Sequence, residues 1–303
     1  MLPIRRFLAP LVAAIALTSV PVFAQDGTFD PKPLPPLGQA GPATPAKEMF
    51  GRRPKPASLE ARSIGFYSKG CLAGARALPV DGKTWQAMRV SRNRNWGHPK
   101  MIAFIERLSA KVPAINGWPG LLVGDISQPR GGPMLTGHAS HQIGLDADIW
   151  LMPMPNRKMS RSDREEMAAV NLLRPDRRDI DPAVYTAAHM KLIRAVAAEP
   201  EVARIFVNPA IKKAFCRDSA GDRSWLSKVR PIWGHNYHFH IRLTCPDGDA
   251  CRDQDPVPRG DGCGAELERW FTPEMLFPGP GAPPPPMLMS QLPAECRRVL
   301  VAP

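Results

Sequence analysis

The chain is expected to be an α+β protein: a single compact domain with a central, mostly antiparallel sheet, flanked by helices and disulfide-tied loops. Three observations predict this. Apolar residues recur at helical spacing over residues 99–112 and 182–198, while four shorter segments carry strand patterns. Strands and helices do not alternate strictly, as they would in a parallel α/β sheet. Six cysteines stand in a chain that begins with an export leader.

The leader comprises residues 1–24. Arg5 and Arg6 form a basic start, residues 8–20 an apolar stretch, and Val22-Phe23-Ala24 places small residues where a signal peptidase cuts. The apolar stretch is too short for a membrane span. A periplasmic protein cleaved near Ala24 is expected. Losing two arginines and no acids takes the formal charge from +12 to +10 (12 − 2). Lys and Arg are spread along the chain rather than gathered in one run, so the charge fits solubility as well as a polyanionic wall. No nucleic-acid partner is expected.

Residues 25–57 are rich in Pro, Gly and Lys and read as an extended lead-in with no apolar area to bury. Residues 58–275 form the domain, and about 220 residues suffice for one sizeable core. In the first helix Met101, Ile102, Ile105, Leu108 and Val112 share a face; in the second, Val184, Ala188, Leu192, Ile193 and Val196 do, with Pro182 suited to the first turn. Residues 121–126 and 205–207 are short enough to be buried strands. His189, in a helix with no metal-spaced partner, reads as a satisfied structural residue. Trp85, Trp96, Trp118, Trp150 and Trp233 read as core or rim. Residues 276–303 form a Pro-rich strap. Cys296 lies beyond the proline run, so a disulfide from it would tie the tail to the body, and Cys245 and Cys251 are close enough for a local loop. No C-x-x-C pair argues for a cysteine zinc site.

Five of the seven histidines fall in two clusters, His138 and His141, then His235, His238 and His240. Both clusters adjoin alternating segments. Over residues 145–150 Leu145, Ala147 and Ile149 alternate with Asp146 and Asp148; over 238–243 Phe239, Ile241 and Leu243 alternate with His238, His240 and Arg242. A strand sends successive side chains to opposite faces, so each can bury one face and present polar groups on the other. If the strands are neighbours, Asp148 and His240 meet, and His141 on the entering loop closes the triad. Three N/O ligands with one open position describe a catalytic zinc site. His238 shares the face of His240 and is a candidate general base.

Ser140-His141-x-x-Gly144-x-x-x-Asp148 followed by His238-x-His240 resembles the lysostaphin and D-Ala-D-Ala metallopeptidase superfamily, and more narrowly the penicillin-insensitive murein endopeptidases. Supporting stretches include Tyr67-Ser68-Lys69-Gly70-Cys71, Trp96-Gly97-His98-Pro99, Lys228-Val229-Arg230-Pro231 and Gly260-Asp261-Gly262-Cys263, spanning about residues 63–298. The resemblance implies Zn2+ held by His141, Asp148 and His240, His238 as catalytic base, and roles near the metal for His138, as a further ligand or a supporting group, and His235. It also implies the pairs Cys71–Cys296, Cys216–Cys263 and Cys245–Cys251. Two departures stand out: Ala139 occupies the usual Ser position, and Asp146, read as a supporting or substrate-facing group, stands where a small residue is usual. One ion is expected, since residues 171–181 offer Asp176, Asp179 and Asp181 but no His. The implied activity is hydrolysis of D-alanyl–diaminopimelate cross-links in peptidoglycan, insensitive to β-lactams. The alternatives are a D,D- or L,D-carboxypeptidase or dipeptidase trimming stem peptides, and a non-catalytic wall-binding protein.

Overall fold

The computed structural model describes residues 43–277 and 284–303, so the leader, residues 25–42 of the lead-in and residues 278–283 of the proline run lie outside it. Eleven strands occur in the described chain: β1 (Arg62–Phe66), β2 (Lys69–Ala73), β3 (Arg76–Ala77), β4 (Trp85–Ala87), β5 (Trp96–Gly97), β6 (Leu121–Val123), β7 (Asp146–Trp150), β8 (Val202–Val207), β9 (Val229–Pro231), β10 (His238–Leu243) and β11 (Ala250–Cys251). The helices are α1 (Ala46–Phe50), α2 (Pro99–Asn116), α3 (Arg161–Glu166), α4 (Ala187–Ala198), α5 (Pro209–Asp218), α6 (Ala265–Glu268), α7 (Pro273–Leu276) and α8 (Glu295–Val301). None of the described helices is long and apolar enough to cross a membrane.

Six strands form the central sheet in the order β4-β6-β7-β10-β8-β9. The three inner pairings are antiparallel and the two outer ones parallel. The expected α+β class with a mostly antiparallel sheet is what the chain forms. Ala147, Ile149, Phe239 and Ile241 point to one face, where they share a core with Ile102 and Ile105 of α2 and Leu192 and Val196 of α4. His98 caps α2 by accepting from Lys100 N at 3.1 Å, and Pro99 occupies its first turn. A smaller sheet, β11-β1-β2, carries the strap.

The second helix starts later than its periodicity predicts, at Ala187 rather than Pro182. Asp181 makes a turn instead, its Oδ1 accepting from Ala183 N and its carbonyl from Tyr185 N. Thr186 is extended, and its N–H donates to His189 Nδ1 at 3.0 Å, so the helix is nucleated there. His189 is the structural residue its setting suggests, with Nε2 3.1 Å from Leu151 O. The end of the lead-in also differs from expectation. Ala46, Phe50 and Ala57 are buried against Ile64, Cys71, Leu292 and Leu300. Gly132 has no Cβ and so lets the Phe50 ring lie against its backbone; a Cβ there would fall 2.3 Å from Cγ.

The three disulfides are Cys71–Cys296, Cys216–Cys263 and Cys245–Cys251. The first fastens α8 to β2. Arg130 reinforces it, its guanidinium donating to the carbonyls of Val299, Leu300 and Ala302 and so satisfying the end of α8. Both Cys71 and Cys296 are fully buried. Replacing the pair by alanine is expected to cost about 2–5 kcal/mol, measured by denaturant unfolding of the oxidised parent and the variant side by side.

Candidate metal centre

The β7–β10 register builds the site. His240 lies opposite Asp148, Arg242 opposite Asp146 and His238 opposite Trp150. Directly opposed residues share a face, so these six side chains project away from the helices. Both strands are buried along their whole length, so the polar face is covered too and its groups are largely dehydrated.

The loop before β7 brings in His141. It turns through left-handed backbone at Gly137, His141 and Gly144 (φ +87°, +67° and +72°). Gly144 is required, because a Cβ there would lie 2.5 Å from Leu72 Cδ2 and 2.7 Å from His98 N. For His141 a left-handed backbone costs energy and persists only where other contacts enforce it. Three do so. Its N–H donates to Asp146 Oδ2 at 2.9 Å, its carbonyl accepts from Ser127 Oγ at 2.6 Å, and Nδ1 lies 2.6 Å from Ile126 O. A carbonyl can only accept, so Nδ1 carries the hydrogen and Nε2 presents a lone pair.

Four imidazoles surround Asp148. His141 Nε2 and His240 Nδ1 each lie 3.4 Å from Oδ1; His138 Nδ1 and His238 Nε2 each lie 3.6 Å from Oδ2. His141 Nε2, Asp148 Oδ1 and His238 Nδ1 are buried without a hydrogen-bond partner. Orphaned polar atoms this deep cost about 1–3 kcal/mol each unless something fills the space between them. Ligands at about 2.0–2.1 Å from a tetrahedral Zn2+ stand roughly 3.3 Å apart, close to these separations. The donor set therefore fits a metal ion. Two triples place one donor atom each within 4.8 Å of one another: His138, His141 and Asp148, and Asp148, His235 and His238. His240 belongs to neither triple. It stands beside Asp148 as the alternation predicts, but its Nε2 is drawn to within 2.9 Å of Asp146 Oδ1, misaligned for a hydrogen bond.

Asp146 sits behind the donor atoms rather than facing a substrate. Its two oxygens accept from Arg242 Nε and Nη2 at 2.8 and 3.3 Å, besides holding the His141 amide. Burial opposes its charge, but Arg242 and His240 outweigh that and keep its carboxyl far below the usual range. Asp148 is held low in the same way, by His238 and His141 against burial. Burial pushes His238 down to about 4 and His240 to about 3, so both are neutral at neutral pH. Burial also lowers His235, whose Nδ1 lies 2.8 Å from Trp233 O. For His141 the balance reverses: burial lowers its pKa, but Asp148, Asp146 and the Ile126 carbonyl together raise it by more.

Several residues at the site escaped the sequence reading. Asp125 lies within the apolar run 121–126, and its Oδ2 accepts from Arg94 Nη1 at 3.0 Å and Arg92 Nη1 at 3.2 Å and lies 3.0 Å from His138 Nε2. Burial would raise it, yet the His138 hydrogen bond and the two arginines bring it to about 2. A carboxylate inside an apolar run was the available signal. A cleft of about 510 Å³ opens above Asp148 and His238, with Arg89, Arg92, Trp150 and Tyr237 among its walls. Of the acids in the 171–181 stretch, Asp176 pairs with Arg174, Asp179 with Arg217, and Asp181 makes the turn before α4.

A buried carboxylate ringed by imidazoles, opening on a cleft beside a neutral histidine, defines a candidate metal-dependent hydrolase centre on an α+β domain. The comparisons agree on something narrower. The profile of the penicillin-insensitive murein endopeptidase family matches residues 63–301. Curated relatives carry the same name. One from Haemophilus influenzae is 47% identical over 262 residues, covering 82% of this chain and 89% of its own. One from Yersinia enterocolitica is 44% identical over 248 residues, with 81% and 87% covered. One from Klebsiella pneumoniae is likewise 44% identical, with 81% and 88% covered. The chain belongs to the penicillin-insensitive murein endopeptidase family, a family of peptidases.

Asp146 is expected to be the group on which the centre's stability rests. Asp146→Ala should cost about 3–5 kcal/mol, because it leaves the Arg242 guanidinium buried without a counter-charge. Asp146→Ala/Arg242→Met should recover part of that loss. Chemical denaturation of the two variants checks both outcomes.

Proposed function

We infer that this protein is an exported, zinc-dependent murein endopeptidase that hydrolyses the D-alanyl–diaminopimelate cross-links of peptidoglycan. The observation that carries the reading is the pair of unpartnered donor atoms, His141 Nε2 and Asp148 Oδ1, 3.4 Å apart beneath an open cleft in a chain of this family. His141, Asp148 and His240 would hold the ion, His240 through the Nδ1 that faces Asp148. His138 and His235 are supporting residues, each in a triple that shares Asp148. Bound Zn2+ would polarise the scissile carbonyl and make water a nucleophile near neutral pH.

The chain's own residues do the rest. His238, uncharged at neutral pH, accepts the proton of the attacking water and delivers it to the leaving amine. The Ile126 carbonyl fixes the tautomer of His141, and Asp146 restrains the backbone and ring of the two ligand histidines. No serine nucleophile is required, which accounts for indifference to β-lactams. Three disulfides support maturation in an oxidising compartment, and residues 1–24 carry the signal for periplasmic export with cleavage near Ala24.

Purified sacculi digested with the protein should release monomers from cross-linked dimers, resolved by mass. A chelator should stop release and added zinc restore it. His238→Ala should lose activity by a factor of about 100 or more while its metal content is unchanged. Release of terminal D-alanine alone, with dimers intact, would instead mark a stem-trimming carboxypeptidase. Binding to sacculi that survives chelation, with no new termini, would mark a wall-binding protein.

A further inference from the structure

The cleft beside the centre is lined by three guanidiniums, those of Arg89, Arg92 and Arg94, against two carboxylates, Asp125 and Asp148. Two of the three are committed. Arg94 is 10% exposed and donates to Asp125, Thr136 O and Thr136 Oγ1. Arg89 donates to Met167 O at 2.9 Å and lies over the Trp150 ring. Arg92 is different. Its side chain is 49% exposed and makes one hydrogen bond, a 3.2 Å contact with an oxygen of Asp125 that Arg94 and His138 already share. A guanidinium carries five donors in a fixed fork, so Arg92 keeps most of them available to the cleft.

The turn that presents Arg92 is rigid. Residues 90–92 form a single 3-10 turn, with Arg89 and Asn93 on either side in left-handed backbone (φ +54° each). Ser91 is gripped by Glu165, whose oxygens accept from its N–H at 2.8 Å and its hydroxyl at 2.7 Å, and Asn93 Oδ1 accepts from Trp96 Nε1 at 2.7 Å. Strained backbone that neighbours enforce at a cleft marks a position held for a purpose.

We propose that Arg92 binds the free carboxylate on the leaving side of the scissile amide. The inference rests on the reading of function above. When the stem runs through both groups of one centre of a diamino diacid and the cross-link uses the amino group of the other, the carboxyl on that second centre stays free, so the leaving amine is an α-amino acid. Its carboxylate lies two bonds from the scissile nitrogen and must find a cation within the cleft that holds the reacting carbonyl. Arg92 is the exposed guanidinium of that cleft and the least engaged of the three, and a bidentate guanidinium–carboxylate pair fixes orientation as well as affinity. Holding that group also aligns the amide over Asp148 and His238.

The test uses two synthetic cross-linked muropeptides that differ only in this group, carboxylate in one and carboxamide in the other. The zinc-loaded parent should favour the carboxylate substrate in kcat/KM by about ten- to a hundredfold. Arg92→Gln should bring the ratio close to one through loss on the carboxylate substrate alone, with metal content and melting midpoint unchanged. Arg92→Lys keeps the charge without the fork and should retain part of the preference. Equal rates for the parent on both substrates, or an undiminished preference in Arg92→Gln, would overturn the proposal. If the parent cuts neither substrate, the endopeptidase reading fails and binding decides the inference. Tryptophan-fluorescence titration should then show tighter binding of the carboxylate peptide, lost in Arg92→Gln, and equal affinities would overturn it.

Discussion

The buried ion pair between Asp146 and Arg242 is the contact on which the centre depends. It joins the two central strands at opposed positions, and the same carboxylate holds the amide of His141 and faces His240. The guanidinium lies over the Tyr67 ring, whose hydroxyl donates to Leu243 O at 2.7 Å. A one-residue slip of β10 against β7 would turn Arg242, His238 and His240 into the apolar core and leave Asp146 without its partner, so the charge pair and the metal donors enforce one register together. That coupling gives the acid at position 146 a physical reason.

Dehydration follows from this architecture. One face of the sheet is closed by α2 and α4, and the other by the His138–Gly144 loop and its neighbours, so the imidazoles sit inside the protein rather than on it. Burial drives His238 and His240 neutral, while Asp148 and Asp146 stay ionised because each has cationic or hydrogen-bonding partners. Neutral imidazole beside carboxylate is the protonation state that metal binding requires.

Much of this was legible in the chain, and the parts that were not have a common cause. Period-two alternation is a local property, so residues 145–150 and 238–243 announced their polar face, and the opposition of Asp148 and His240 followed once the strands were paired. The start of α4 depended on a competing turn at Asp181 and on a histidine bonding its own helix's first amide, neither of which periodicity encodes. Phe50 reads as part of a proline-rich lead-in until Gly132 and the strap, far away in sequence, supply its pocket. Asp125 and the arginines around it belong to the cleft through contacts 31 to 33 residues apart, and no spacing rule reaches that far. Pairing of the six cysteines came from the family likeness, since spacing singled out only the Cys245–Cys251 loop.

The strap has a consequence for the order in which the molecule can close. Cys71 finds its partner 225 residues further along, at Cys296, and Ser58 N–H donates to the carbonyl of Pro303 at 2.8 Å. In a polypeptide made N-terminus first, β2 and the buried face of α1 stay uncovered until residues 296–300 have been made and have docked. The arrangement acts as an integrity check: a chain without α8 would lack the piece that closes its first sheet, and its uncovered apolar face would make it a target for proteolysis.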